Sequence, residues 1–254
     1  MFLVVRRFDG KDTKYQRFEV KESAGMTILD ALFDVRDKQD DSLAFRYSCR
    51  GAVCGSCAML IDRVPRLACR TQVGDVLAGK ARMVLDPFLQ TDIVGYDSMA
   101  EILVEPMSNM PVQKDLAVDM TEFFKKYEEL RPFLEAKVPI PEREYRMSKD
   151  AERELERYTN CILCGACYAS CPVNAKNAAY TGPAALARLY RFGIDPRQNG
   201  EQKAFLRADK PEGWWACEFH NNCTRVCPKR VPPSVGIARA RKQIQATKGK
   251  EVRK

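Results

Sequence analysis

Eleven cysteines fall in this chain of 254 residues, and their spacing constrains the fold more than any other feature. Four form the run Cys161-Ile-Leu-Cys164-Gly-Ala-Cys167-Tyr-Ala-Ser-Cys171-Pro172, a C-x2-C-x2-C-x3-C-P pattern. Downstream, Cys217, Cys223 and Cys227-Pro228 repeat it with one cysteine missing, as C-x5-C-x3-C-P. Superposing the halves sets Cys217 against Cys161, Cys223 against Cys167 and Cys227 against Cys171. His220, the only histidine, fills the slot that matches Cys164. A third group lies upstream: Cys49, Cys54, Cys57 and Cys69, spaced C-x4-C-x2-C-x11-C. An odd count in tight groups, in a chain of this length, speaks for metal rather than a disulfide framework.

The C-x2-C-x2-C-x3-C-P run is the one bacterial ferredoxins use for a cubane cluster, and in two-cluster ferredoxins its fourth cysteine serves the other cluster. If the last cysteine of each half crosses over in this way, one cluster takes Cys161, Cys164, Cys167 and Cys227. Four thiolates suit [4Fe–4S]. The other takes Cys171, Cys217 and Cys223, and three thiolates suit [3Fe–4S], a cubane lacking one iron. The repeat therefore predicts two unequal clusters.

The upstream group has the spacing of plant-type [2Fe–2S] ferredoxins. Its loop must wrap a small cluster with backbone N–H groups facing sulfur. Gly51 and Gly55 suit positive φ and close backbone approach, and Ala52, Ser56 and Ala58 leave room. Four cysteines could also close a tetrahedral zinc site, but zinc sites more often pair two C-x2-C knuckles. A Rieske centre needs two histidines on one iron, and the chain has one.

The rest of the composition is that of an ordinary globular protein, 30% charged and 45% hydrophobic. No apolar run approaches the ~20 residues of a membrane span, and the N-terminus lacks the basic and apolar regions of a secretory signal. The net charge of +8 has a location. From Lys229 onward there are nine Lys/Arg and one acid, Glu251, while the first 228 residues balance at 33 basic and 33 acidic. Such a tail suits nucleic acid or anionic headgroups. It equally suits a solvated helix end, and without an aromatic residue to stack on bases the second reading is preferred and no nucleic acid is expected.

Residues 2–8 and 15–20 read as strands joined by the turn Asp9-Gly10-Lys11-Asp12. Thr27 opens a helix from Ile28 to Lys38, with Ile28, Leu29, Leu32, Phe33 and Val35 on its buried face. Residues 106–111, with a proline at each end, read as the boundary between a domain 1–105 and a domain 106–254. In the second domain, 114–135 reads as helix, ended or kinked by Pro132. Ser148 caps a helix from Lys149, Gly182 to Phe192 forms another with Leu186, Leu189 and Tyr190 inward, and 193–213 is loop with short helical pieces. A basic helix runs from Ser234 to about Gln245. The expected fold class is α+β, with a unit of hairpin, helix, cysteine loop and further short strands followed by a helical one.

Taken together, the three cysteine groups, the Gly182-Pro-Ala-Ala segment and the Cys227-Pro-Lys229 ending resemble the iron–sulfur subunit of the succinate dehydrogenase/fumarate reductase family, respiratory complex II. The resemblance covers nearly the whole chain. It implies a β-grasp [2Fe–2S] ferredoxin domain followed by an all-α, bacterial-ferredoxin-like domain with two cubane-type clusters. It implies partners: a flavoprotein catalytic subunit bearing FAD, and a membrane anchor, with or without haem b, where quinone reacts. The chain would lie peripherally on the cytoplasmic face of the inner membrane, an electron-transfer subunit without catalytic residues of its own. Consistent with that, it has no G-x-G-x-x-G nucleotide fingerprint.

Within the family, Cys167-Tyr-Ala-Ser-Cys171-Pro and Gly213-Trp-Trp-Ala-Cys217-Glu-Phe look more like fumarate reductases. Ubiquinone-type members carry a tryptophan pair after the Cys-Pro, and Val173-Asn-Ala-Lys176 here has none. This implies menaquinone as the nearby quinone and quinol:fumarate reductase as the activity, with succinate:quinone dehydrogenase as the alternative. A redox sensor is the remote rival. His220 is either a fourth cluster ligand or a polar residue beside the three-iron face; the rarity of histidine-ligated cubanes favours the second. Arg50, Arg70 and Lys229 adjoin ligand cysteines and are either tuning charges or surface charges.

Overall fold

The computed structural model describes residues 1–80 and 101–251, and these divide into two compact units. The first comprises Met1–Met120 together with Ile162–Ser170; the second comprises Thr121–Cys161 and Cys171–Lys254. The last three residues of the basic tail lie outside the described residues.

In the first unit, β1 (Phe2–Phe8) and β2 (Thr13–Glu19) form the expected hairpin. The Asp9 carboxylate closes its turn by accepting from the amides of Lys11 and Asp12, each at 2.9 Å. Helix α1 (Ile28–Lys38) begins where Thr27 predicts. Thr27 Oγ1 accepts from Asp30 N, and Asp30 reaches back to Thr27 N, a capping box worth about 1 kcal/mol. Strands β3 (Ala58–Ile61) and β4 (Val64–Leu67) follow, then the short helix α2 (Val73–Leu77) and β5 (Glu101–Glu105). They build one five-stranded sheet in the order β2-β1-β5-β3-β4, with β1 and β5 parallel and the other pairs antiparallel. Leu3, Val5, Ile28, Leu32, Val35, Ile102 and Val104 close its core against α1. A mixed sheet with one helix across it is an α+β arrangement.

The predicted helix over 114–135 is only partly present. Residues 112–118 instead form a two-stranded ladder, β6 (Val112–Lys114) with β7 (Ala117–Val118), turned at Asp115, whose φ is +47°. The reason is a tertiary demand on Asp115. Its buried carboxylate accepts from Arg7 Nε at 2.8 Å and from the amides of Phe8 (3.0 Å) and Ala44 (2.9 Å). The Arg7 guanidinium also holds Asp40 at 2.6 Å and Ser42 at 2.9 Å. Leu116, within the span read as helix, packs in the core of this unit. A helix appears only at α3 (Thr121–Glu129), which belongs to the second unit and stops before Pro132.

The second unit is helical. α4 (Lys149–Thr159) is capped by Ser148, whose hydroxyl accepts from Ala151 N at 3.2 Å. The single turn α5 (Ala166–Ala169) belongs to the first unit. There follow α6 (Pro172–Lys176), α7 (Pro183–Gly193), α8 (Glu201–Leu206), α9 (Asn222–Arg225) and α10 (Pro233–Glu251). Leu186, Leu189 and Tyr190 point inward as predicted, meeting Tyr158, Phe205, Trp214 and Ile237. The buried Trp214 donates to Phe205 O at 2.8 Å. Several basic residues of α10 serve this unit. Arg239 pairs with Glu154, Arg241 donates to the carbonyls of Trp214 and Cys217, and Lys248 pairs with Asp209 at 2.7 Å.

Removing Asp115 would leave Arg7, 9% exposed at its side chain, without its principal counter-ion and strand two amides. Asp115→Ala is expected to cost about 3–5 kcal/mol in urea denaturation; a loss below about 1 kcal/mol would contradict the role given to this carboxylate.

Candidate functional site

The upstream cysteine loop hangs between α1 and β3 and is shaped by left-handed residues at Arg50, Ala52 and Gly55. Gly55 takes φ +77°, as its identity predicts. Gly51 is not among the positive-φ residues; its neighbours Arg50 (+55°) and Ala52 (+57°) carry the turn instead. Alternating handedness of this kind aims successive N–H groups to one side and makes an anion-holding concavity. The amides of Gly51, Val53 and Cys54 point at Cys49 Sγ (3.4, 3.2 and 3.2 Å). Those of Cys49 and Ser56 point at Cys54 Sγ, and that of Ala52 at Cys69 Sγ (3.3 Å). The loop thus does what a sulfur-rich anionic cluster requires of it. Among the described residues, no three His, Cys, Asp or Glu side chains converge on one point as ligands of a single metal ion. Arg50 turns its guanidinium onto the rings of Phe33 (4.6 Å) and Tyr47 (5.5 Å).

The acidities of these thiols diverge. Burial pushes Cys54 up, but hydrogen bonds from the Ser56 hydroxyl and from the amides of Cys49 and Ser56 outweigh it and bring the thiol down to about 6. Burial, with Cys69 beside it, pushes Cys57 up to about 12. A thiol of that kind would lose its proton at neutral pH only where a cationic centre such as iron displaced it.

Part of the downstream run folds against this loop within the same unit. A β-carbon built on Gly55 would lie 2.7 Å from Cys164 Cβ and 2.9 Å from its Cα. Gly165, at φ +81°, is equally crowded, with the terminal methyls of Met110, Met120 and Met107 at 2.8, 3.3 and 3.7 Å. The segment is held by Asn109, whose side-chain amide donates to the carbonyls of Tyr168 and Ala169, and by Ser108, which donates to Ala169 O. Nothing in the spacing of the three methionines says that they meet at Gly165.

In the second unit, Cys171, Cys217 and Cys223 line one pocket. Pro172, Val173, Tyr180, His220 and Ser234 share its wall. The three cysteines that the repeat grouped are thus brought together. Cys171 is the N-cap of α6, at the start of the helix where the amides of Val173 and Asn174 lie; Cys223 has the Thr224 hydroxyl and the Ser234 amide beside it. Burial raises Cys171 and pushes Cys223 up to about 12, so either would become a thiolate at neutral pH only if a metal displaced its proton. Cys161 and Cys227 both pack against the core of this unit, and Val231 N donates to Cys227 Sγ at 3.3 Å. Lys229 contributes its backbone amide to Cys227. His220 turns its Nε2 to Glu218 Oε2 at 3.0 Å.

Tyr180 escaped the sequence reading. It is 1% exposed and lines the same pocket as Cys217, whose sulfur is placed to accept from its hydroxyl. Burial, reinforced by Cys217, Cys171 and Cys223, holds its phenol well above the usual value, so it stays protonated. The only signal was its place two residues before Gly182-Pro183.

A family model described as a 2Fe-2S iron-sulfur cluster binding domain matches residues 2–125, and one described as a 4Fe-4S dicluster domain matches 157–231. The fumarate reductase iron-sulfur subunit of Haemophilus influenzae is 34% identical over 87% of this chain and 82% of its own. That of Mycobacterium tuberculosis is also 34% identical, over 89% and 83%. The succinate dehydrogenase iron-sulfur subunit of Paracoccus denitrificans is 33% identical over 85% and 76%. Among solved structures, a chain of the Mycobacterium smegmatis Sdh1 complex in the apo form superposes with a TM-score of 0.81 at 22% identity, covering 97% of this chain and 96% of that one; this is a likeness of fold.

Gly55→Ala would place a methyl group against the backbone of Cys164 at a φ that L residues seldom adopt. Such overpacking costs about 1–3 kcal/mol. Purified Gly55→Ala protein should hold less iron and acid-labile sulfide than wild type, with a weakened visible circular dichroism signal; unchanged values for both would refute the close approach.

Proposed function

The chain belongs to the iron–sulfur subunits of the fumarate reductase/succinate dehydrogenase family, and we propose that it serves a quinol:fumarate reductase using menaquinol. As an electron-transfer subunit of an oxidoreductase complex it needs no acid, base or nucleophile of its own. When bound, its clusters supply one-electron carriers between menaquinone at a membrane anchor and FAD in a flavoprotein subunit. The observation that carries this reading is the common pocket of Cys171, Cys217 and Cys223.

We assign the ligands as the repeat does. Cys49, Cys54, Cys57 and Cys69 hold [2Fe–2S]; Cys161, Cys164, Cys167 and Cys227 hold [4Fe–4S]; Cys171, Cys217 and Cys223 hold [3Fe–4S]. The amides around Cys49, Cys54 and Cys69 support the first set. The contact of Gly55 with Cys164 supports a short route from the first set to the second. His220 stays outside the third set, because its Nε2 is engaged by Glu218. The strand order β2-β1-β5-β3-β4 across α1 supports a β-grasp first domain.

Pro172 and Val173 line the pocket of the third set, so the stretch expected near quinone borders it. That stretch carries no tryptophan, which supports menaquinone over ubiquinone and fumarate reduction over succinate oxidation. The anchor would hold the chain peripherally on the cytoplasmic face of the inner membrane. Among the described residues, no helix is long and apolar enough to cross a membrane.

The test is isolation of the intact complex with its flavoprotein and anchor. Fumarate reduction by menaquinol should exceed succinate oxidation with ubiquinone; the reverse bias would overturn the assignment of direction and quinone. The oxidised complex should show a three-iron signal in low-temperature electron paramagnetic resonance, retained in His220→Ala. A three-iron signal absent from wild type and appearing only in His220→Ala would make His220 a ligand after all.

A further inference from the structure

The wall of the three-cysteine pocket contains a buried hydroxyl that packing alone does not explain. Phenylalanine would fill the place of Tyr180 equally well, and a buried hydroxyl is unfavourable unless bonded. Among the described residues the buried Tyr158 hydroxyl finds no hydrogen-bond partner, whereas Tyr180, 1% exposed, lines the same pocket as Cys171, Cys217 and Cys223. Of the three sulfurs, that of Cys217 is the one placed to accept from its hydroxyl.

The ring is fixed from its own backbone. Tyr180 N donates to Asn177 O at 3.1 Å, and Tyr180 O accepts from Lys126 Nζ at 2.9 Å. The next amide, Thr181 N, donates to Glu212 O at 2.9 Å. Gly182, at φ +93°, then turns the chain into α7. Two elements distant in sequence therefore pin the segment that carries the phenol, and little is left for the hydroxyl to choose. A donor fixed in this way keeps its geometry while the charge on its acceptor changes.

We propose that Tyr180 is a positioning residue that sets the reduction potential of the carrier held by Cys171, Cys217 and Cys223, by donating a hydrogen bond to the Cys217 sulfur. The inference rests on the ligand assignment above. Reduction adds one electron and breaks no bond, and the added negative charge is spread partly onto the ligand sulfurs. A donor at Cys217 stabilises that charge and raises the potential, since hydrogen bonds to sulfur are one of the levers that set it. The neighbouring donors act on other sulfurs: the amides of Val173 and Asn174 on Cys171, and the Thr224 hydroxyl and Ser234 amide on Cys223. Those come from residues within a few positions of a cysteine or from the first turn of α10. Tyr180 is the contribution of the segment that leads into α7.

The experiment is a redox titration of the three-iron signal in the intact complex, for wild type, for Tyr180→Phe, and for protein in which the tyrosine ring is fluorinated by 3-fluorotyrosine incorporation. Tyr180→Phe should keep the intensity of the signal and shift its midpoint to more negative potential. A tenfold weaker reduction equilibrium corresponds to about 59 mV for one electron. The fluorinated phenol is a stronger donor of nearly the same size and should shift the midpoint the other way. An unmoved midpoint on an intact signal overturns the role of Tyr180 and leaves the ligand assignment standing. If Tyr180→Phe fails to assemble, the fluorinated protein decides alone: a positive shift supports the proposal and no shift overturns it. A wild-type complex without any three-iron signal overturns the ligand assignment, and this inference with it.

Discussion

Buried sulfur is acidic only when something positive or protic faces it, and this condition governs how the cysteine segments are folded. Thiols such as Cys57 and Cys223, pushed up to about 12 by burial, sit within hydrophobic cores that would keep them neutral. Around them the chain spends its turns on aiming donors: left-handed Arg50, Ala52 and Gly55 in the first loop, the N-terminus of α6 at Cys171, the Thr224 hydroxyl at Cys223. Local backbone strain at Arg50 and Ala52, where a β-carbon resists positive φ, is the cost of that orientation. Iron, once bound, would complete the arrangement by taking the place of the protons.

This division of labour explains why the chain needs two kinds of architecture. The first loop is a concavity of amides supported by a sheet and one helix, so its donors come from the loop itself. The pocket of Cys171, Cys217 and Cys223 lies among short helices, and its donors come from helix starts and side chains: α6, Thr224, Ser234 and Tyr180. Long helices α7 and α10 supply rigidity, and Arg241 ties α10 to the carbonyl of Cys217 itself. A basic residue read from the sequence as part of a charged tail is thus also a brace for a cysteine loop.

Cysteine spacing, caps and the hairpin turn were legible in the sequence because each is decided within a few residues. Thr27 and Ser148 cap the helices assigned to them, and Leu186, Leu189 and Tyr190 face inward. The reading failed where a distant partner decides. Residues 114–120 have helical periodicity, but Asp115 is claimed by Arg7, Phe8 and Ala44, more than seventy residues away, and the chain turns there. Gly51 was credited with a conformation that Arg50 and Ala52 adopt instead, because composition does not say which residue of a loop carries the turn. Tyr180 and the methionines around Gly165 were invisible for the same reason: their importance lies in what they meet.

The approach of Gly55 to Cys164 has a consequence for how such a protein can be rebuilt. The upstream loop and the cysteine run from Ile162 meet, within the first unit, where a single methyl group does not fit. A chimera that took the upstream loop from a free-standing ferredoxin would have to import it with a glycine at this point, whatever else it changed. The loop and the run can diverge elsewhere, yet at this contact they are constrained to change together.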